Sequence, residues 1–190
     1  MHHIHRVNVV QAAIQLATQA GAVCVATCRT DEKVECCLAM GATAAFNIKD
    51  ISEFSPLVKD ANGGKGVNVV LDPVGASYAQ QNLDVLGMDG RLVLYGLMGG
   101  KGVEDTNFLG KILAKRIAIM GSTLRGRDKA YKQTLAQAIE EEVMPRVVSG
   151  EYKVLIDSVY PFTTEGVQSA HRHMATNQNI GKIVLTVSNN

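Results

Sequence analysis

The sequence predicts an α/β chain, a doubly wound parallel sheet covered by helices on both faces. Three observations carry that expectation. Short apolar runs alternate with segments of helical period along nearly the whole chain, the pattern of βαβ units. The runs Val67–Leu71 and Leu92–Tyr95 are apolar on both faces, as strands buried under helices are. The second run breaks directly into Gly96, Gly99, Gly100 and Gly102, at the carboxyl end of a strand, where open α/β sheets hold ligands. An ordinary strand-to-loop turn remains the alternative reading of those glycines.

Taken in order, Val9–Ala20 reads as a helix, with Val9, Ala13, Leu16, Ala17 and Ala20 on the helical period and Gly21 as its C-terminal stop. Ala22–Thr27 is a strand. Asp31–Met40 is a helix capped by Thr30 and stopped at Gly41. Ala44–Asn47 is a short strand, and Ser52–Ala61 a helix that tolerates Pro56 only near its start. Val67–Leu71 ends at Asp72-Pro-Val-Gly75, and Ser77–Leu86 is the helix before the glycine-terminated strand. The alternation continues with a helix over Phe108–Lys115, a strand over Ile117–Ser122 and a long helix over Lys129–Val148, interrupted or ended around Pro145. Val154–Val159, Thr163–Ala175 and Ile183–Val187 follow as strand, helix and strand. With no internal linker or repeat, residues 1–190 are expected to form a single domain.

The composition narrows the function classes. Net charge is +1, aromatic residues make up 5% and Trp is absent, which argues against a nucleic-acid partner. No apolar stretch reaches membrane-spanning length and no signal peptide is expected, so the chain is expected to be cytoplasmic and without a membrane partner. The cysteines at 24, 28, 36 and 37 lack zinc-site spacing, and reduced thiols in a strand and a helix are expected. His171 and His173 on a late helix read as surface residues, and Tyr95 as packing.

Where a dinucleotide fold ends its second strand, an acid accepts from the ribose of NAD, whereas a basic residue accommodates the 2′-phosphate of NADP. Here the strand ends in Thr27-Cys28-Arg29-Thr30, without an acid, and Lys33 follows four residues after Arg29. Arg29 suits a phosphate through charge-assisted bonds, Lys33 as a point charge. A solvated helix start beside Asp31 and Glu32 is the competing reading. The expected glycine-rich turn before the first helix is missing: Ile4–Val10 contains no glycine. The first strand and its turn are therefore expected to be truncated or degenerate.

Gly90–Gly100 (GRLVLYGLMGG), Ser122–Asp128 (STLRGRD) and Asn179–Leu185 (NIGKIVL), with Ala12–Ala17 and Asp31–Lys33, resemble the quinone oxidoreductase branch of the medium-chain dehydrogenase/reductase superfamily. The resemblance runs from about Ala12 to Val187. It implies a Rossmann domain that binds NADPH, in an enzyme that passes hydride to a quinone or related small electrophile without a catalytic metal. By position, Lys33 matches a lysine on the 2′-phosphate. Ile48 stands where a tyrosine is usual, and Arg29 compensates. Pro73 and Val74 match the loop beside adenine and ribose, and Gly96, Leu97 and Met98 the segment near the nicotinamide. Ser122, Thr123 and Leu124 match a further cofactor-side loop, and Asn179 a polar contact. No catalytic residue is expected here, because the resemblance covers the cofactor domain and not the N-terminal catalytic lobe.

A second reading is a non-catalytic interaction fragment. The resemblance implies association through the edge strand at Ile117–Thr123, with a second copy or a full-length homologue. A third is an unstable remnant, with a gap at the centre of the sheet where a proper first strand is lacking.

Overall fold

Period and punctuation place the elements. In the computed structural model, residues 2–3 and 7–187 are described, with side chains from Val9 onward. Helix α1 spans Val7–Gln19 and ends at Gly21, which takes φ 77°. Strand β2 is Val25–Cys28, shorter at its start than expected. Helix α2, Asp31–Ala39, begins where the Thr30 hydroxyl accepts from Lys33 N at 3.3 Å. Strand β3 is Ala44–Asn47; helix α3 is Ser55–Ala61, with Pro56 in its first turn. Strand β4 is Val67–Asp72, helix α4 Ala76–Val85 and strand β5 Leu86–Leu94. β5 begins earlier than its sequence suggests. Its ladder with β4 jumps from Val67–Leu86 to Val69–Arg91, looping out Gly87–Gly90.

Helix α5 is Phe108–Lys115, strand β6 Ala118–Gly121 and helix α6 Lys129–Ala138. A π-helical turn over Ile139–Val143 then leads into α7, Met144–Val148. The interruption falls just before Pro145, which has no N–H to continue the helical ladder. Strand β7 (Ile156–Pro161), helix α8 (Thr164–Thr176) and strand β8 (Lys182–Thr186) complete the chain.

The main sheet is parallel with the order β3-β2-β1-β4-β5-β6, the doubly wound dinucleotide order, where β1 is His2–His3. The central position expected to be a gap is thus taken by a two-residue strand. β7 and β8 depart from expectation. They pair with each other as a separate two-stranded parallel sheet and do not extend the main one.

Alternation along the strands splits the core. Val25, Val70 and Leu92 turn to one face, packed with Phe54, Val58 and Leu83 of α3 and α4 and their flanks. Ala26 and Cys28 turn to the other, with Val10 and Ile14 of α1 and Cys37 of α2. Leu155 and Ile180, flanking β7 and β8, pack on this second cluster and tie the small sheet to α1 and α2. Truncating a fully buried side chain such as Leu83 to Ala costs about 2–5 kcal/mol. Two packed faces fix the strand ends that carry the polar residues described next.

Candidate functional site

β4 ends in a buried acid. The Asp72 carboxylate accepts from Val74 N at 2.6 Å, from Gly75 N at 3.1 Å and from Asn82 Nδ2 at 2.8 Å. Burial pushes its pKa up, and these three donors oppose the shift. The carboxylate folds Pro73–Gly75 into a tight turn; it is a brace within the protein.

That turn is laced to the loop after β5. Tyr95 N donates to Asp72 O at 3.0 Å, Met98 N to Pro73 O at 3.1 Å, Gly99 N to Val74 O at 2.7 Å and Ala76 N to Gly100 O at 3.2 Å. Glycine is required at two points. A Cβ on Gly96 would lie 2.6 Å from Pro73 O, and one on Gly75, at φ 80°, would lie 2.8 Å from Gly100 O. Backbone packed on backbone thus makes a shallow cradle at the carboxyl ends of the central strands.

Over the cradle lies a cleft of 320 Å³, lined by Val9, Pro73, Tyr95, Gly96 and Met98. The Tyr95 hydroxyl is buried and has no hydrogen-bond partner among the described residues. Burial, with the nearby Asp72 charge, pushes its phenol up to about 12, so it is a proton donor at neutral pH. The sequence reading treated Tyr95 as packing; its only sequence signal was its place directly before Gly96. Val9 was also missed, because α1 begins two residues earlier than its apolar period suggests.

The other expected residues fall at three further places. Arg29 is exposed at the end of β2. Its charge reaches the α4 residue Tyr78, whose phenol is pushed up by burial and drawn back down by Arg29. Lys33 is buried, and its Nζ donates to the Asn177 carbonyl at 2.6 Å, at the C-terminal end of α8. Burial lowers its pKa. Asn179 lies two residues further on, its Nδ2 donating to Gly181 O at 2.9 Å. Ser122 adjoins the cradle, its N–H donating to Leu94 O at 2.8 Å, with Thr123 next to it. Leu124 faces away, into an apolar cleft against α6 with Leu135 and Ile139. The structure therefore brings Pro73, Val74, Gly96, Leu97, Met98 and Ser122 together, sets Arg29, Lys33 and Asn179 at the β2 side, and separates Leu124. Of the glycine-free stretch Ile4–Val10, residues 4–6 lie outside the described residues.

The cysteines are all free; Cys28 Sγ and Cys37 Sγ approach to 3.6 Å in the core. His173 is half-buried against the Tyr160 hydroxyl at 3.1 Å, and His171 is exposed. Among the described residues no group of three His, Cys, Asp or Glu side chains could hold a metal ion. The cradle fits a nucleotide cofactor better. Its glycines let the two loops at the carboxyl ends of β4 and β5 pack backbone on backbone, the Tyr95 hydroxyl has no hydrogen-bond partner among the described residues, and Arg29 is exposed at the β2 end.

Comparison with known proteins agrees with this geometry. A family model described as zinc-binding dehydrogenase matches residues 9–141. The chain is 29% identical over 175 residues to a 2-haloacrylate reductase of a Burkholderia species, covering 89% of this chain and 49% of that protein. It is 26% identical over 175 residues to the human quinone oxidoreductase, covering 92% and 50%. Among solved structures, an Escherichia coli quinone oxidoreductase complexed with NADPH superposes with a TM-score of 0.80 at 28% identity, covering 97% of this chain and 55% of that one. An NAD-dependent alcohol dehydrogenase gives 0.79 at 26% identity, covering 98% and 50%. The chain spans about half the length of the curated relatives it matches.

Proposed function

The chain belongs to the zinc-binding dehydrogenase family, and from that premise we propose that it is the NADPH-holding domain of a reductase acting on a quinone or a related small electrophile. The observation that carries the reading is the laced cradle of Pro73–Gly75 and Gly96–Gly100 beneath the buried Tyr95 hydroxyl, which has no hydrogen-bond partner among the described residues. When bound, the cofactor supplies the hydride. The residues of this chain hold and orient it. Pro73 and Val74 bound the ribose side, and Gly96, Leu97 and Met98 bound the nicotinamide side. Tyr95 donates a hydrogen bond into the cleft, and Ser122 and Thr123 close its rim.

The NADPH preference rests on the β2 end, which has Arg29 and no acid. Arg29 takes the 2′-phosphate, beside the first turn of α2. Lys33, committed to the Asn177 carbonyl, adds positive potential from behind and holds α8 against α2. Asn179 fixes the loop that presents that carbonyl.

The second reading, a partner-binding fragment, draws on a separate observation. β6 is the edge of the main sheet and every one of its residues is exposed, with Ile119 38% and Met120 43% accessible. An open edge of this kind pairs by strand addition with a second copy or a full-length homologue. The four free thiols suit a reducing cytoplasm.

Thermal melts with NADPH and, in parallel, NADH test the first reading. A rise in Tm specific to NADPH, followed by quinone-dependent loss of NADPH absorbance, is the expected result. A cooperative melt that neither nucleotide moves overturns the cofactor reading and leaves the edge-strand reading, which sedimentation of the chain alone and with a full-length homologue then decides.

A further inference from the structure

Two sulfurs meet where β2 ends beneath α2. Cys28 closes the strand on the face that packs with α1 and α2, and Cys37 comes from the second half of α2. Both side chains are fully buried, and their Sγ atoms stand 3.6 Å apart, nine positions apart in the chain. A disulfide bond is about 2.05 Å long, so joining the pair takes about 1.5 Å of approach. The other two thiols are engaged elsewhere. Cys24 Sγ lies 3.6 Å from Thr18 Oγ1, and Cys36 Sγ accepts from Gln11 Nε2 at 3.3 Å.

The charges around the pair give the two sulfurs different roles. Lys33 stands four residues before Cys37, on the same side of α2, and is buried as well. Burial lowers the Lys33 pKa, and negative charge on Cys28 draws it back up. The hydrogen bond with Cys28, together with burial, pushes the Cys37 thiol up, so Cys37 keeps its proton. An ammonium and an S–H therefore face the Cys28 sulfur from α2, surroundings that stabilise a sulfur anion.

We propose that Cys28 and Cys37 form a redox clamp, a pair that a peroxide joins in a reversible disulfide and so locks the end of β2 to α2. The peroxide, little larger than water, enters when the last turn of α2 opens. The Cys28 thiolate attacks one peroxide oxygen; the O–O bond breaks, and Cys28 becomes a sulfenic acid. The other oxygen takes a proton and leaves as water, or as an alcohol from an organic peroxide. Cys37 sulfur then attacks Cys28 sulfur; the S–O bond breaks, the S–S bond forms, and the hydroxyl leaves with the Cys37 proton as water. Two thiols lose two electrons and two protons, and the peroxide is reduced. A dithiol reverses the clamp by exchange. The clamp links the strand that leads into Arg29 to the helix that carries Lys33, and its formation is independent of the cofactor reading.

The test treats the reduced whole chain with hydrogen peroxide, alkylates the remaining thiols in denaturant and maps the tryptic peptides. The expected product is Val7–Arg29 joined to Val34–Lys49, two hydrogens lighter than the sum, with Cys24 and Cys36 alkylated. Its Tm should rise by about 5–10 °C, because the bond closes a short loop in the unfolded chain, and should return with dithiothreitol. Cys36→Ala should keep the link, whereas Cys28→Ala and Cys37→Ala should each abolish it. In Cys37→Ala the sulfenic acid has no thiol to condense with, and dimedone should trap it on Cys28. Alkylation of both Cys28 and Cys37 after peroxide overturns the proposal. So does a link through Cys24 or Cys36, a link only between two chains, or a link formed no faster in the folded chain than in the chain unfolded by urea. These outcomes are read on the parent and on Cys36→Ala, so they stand even where a core variant fails to fold.

Discussion

Replacing Asp72 separates the structural brace from the chemistry of the cleft. In Asp72→Ala the Val74 and Gly75 N–H groups lose their acceptor in a fully buried place. Each such orphan costs about 1–3 kcal/mol, so the two together cost about 2–6 kcal/mol. Burial of the carboxylate is itself unfavourable, as its raised pKa records, and its removal offsets part of that loss. The low end, about 2–3 kcal/mol, is expected, which for a chain of this size is a Tm drop of about 5–10 °C. The pH dependence has a definite sign. The folded pKa lies above the unfolded one, so the native state binds more protons between the two. Stability from this group is greatest below the unfolded pKa and falls as pH rises towards the folded one. Asp72→Asn keeps an oxygen for the two backbone donors; it should lose less than the alanine variant and remove that slope. Scanning melts of the three proteins from pH 4 to 8 read both effects. An alanine variant that melts like the parent, or a slope that persists in Asp72→Asn, refutes the account of the turn.

Three further outcomes are expected. Arg29→Ala should lower the preference for NADPH over NADH by about tenfold or more, the worth of a charge-assisted hydrogen bond; Lys33→Ala should chiefly lower Tm, because its ammonium caps α8. Nucleotide titrations of both variants check this, and an unchanged ratio in Arg29→Ala removes the 2′-phosphate role. Tyr95→Phe should melt at or above the parent, since it deletes a buried hydroxyl that has no partner among the described residues, yet bind NADPH more weakly; equal affinity denies the hydroxyl a ligand. Met120→Lys at the β6 edge should leave Tm nearly unchanged and hold the chain as a monomer, measured by sedimentation across concentration; self-association equal to the parent's speaks against that edge.

The alternation of strand and helix, the caps at Thr30 and Gly21, the stop around Pro145 and the separate loops after the strands at Pro73 and Gly96 were legible in the sequence, because each depends on near neighbours in the chain; that the two loops lace together was not. Apolar period, glycine conformation and the missing N–H of proline are local properties. The fate of Lys33 was not legible. Its spacing from Arg29 suits a phosphate, and only packing of α8 across the chain brings the Asn177 carbonyl to its ammonium. Tyr95 looked like packing because an apolar run does not show whether a hydroxyl finds a partner. The separate β7–β8 sheet was hidden for a similar reason: a strand's pattern states which faces are buried, not which strand lies beside it. The sequence by itself determined the order of elements and the glycines that permit close backbone approach. The tertiary structure alone decided which side chain met which partner and which strand lay beside which, since satisfaction and pairing are settled between residues far apart in the chain.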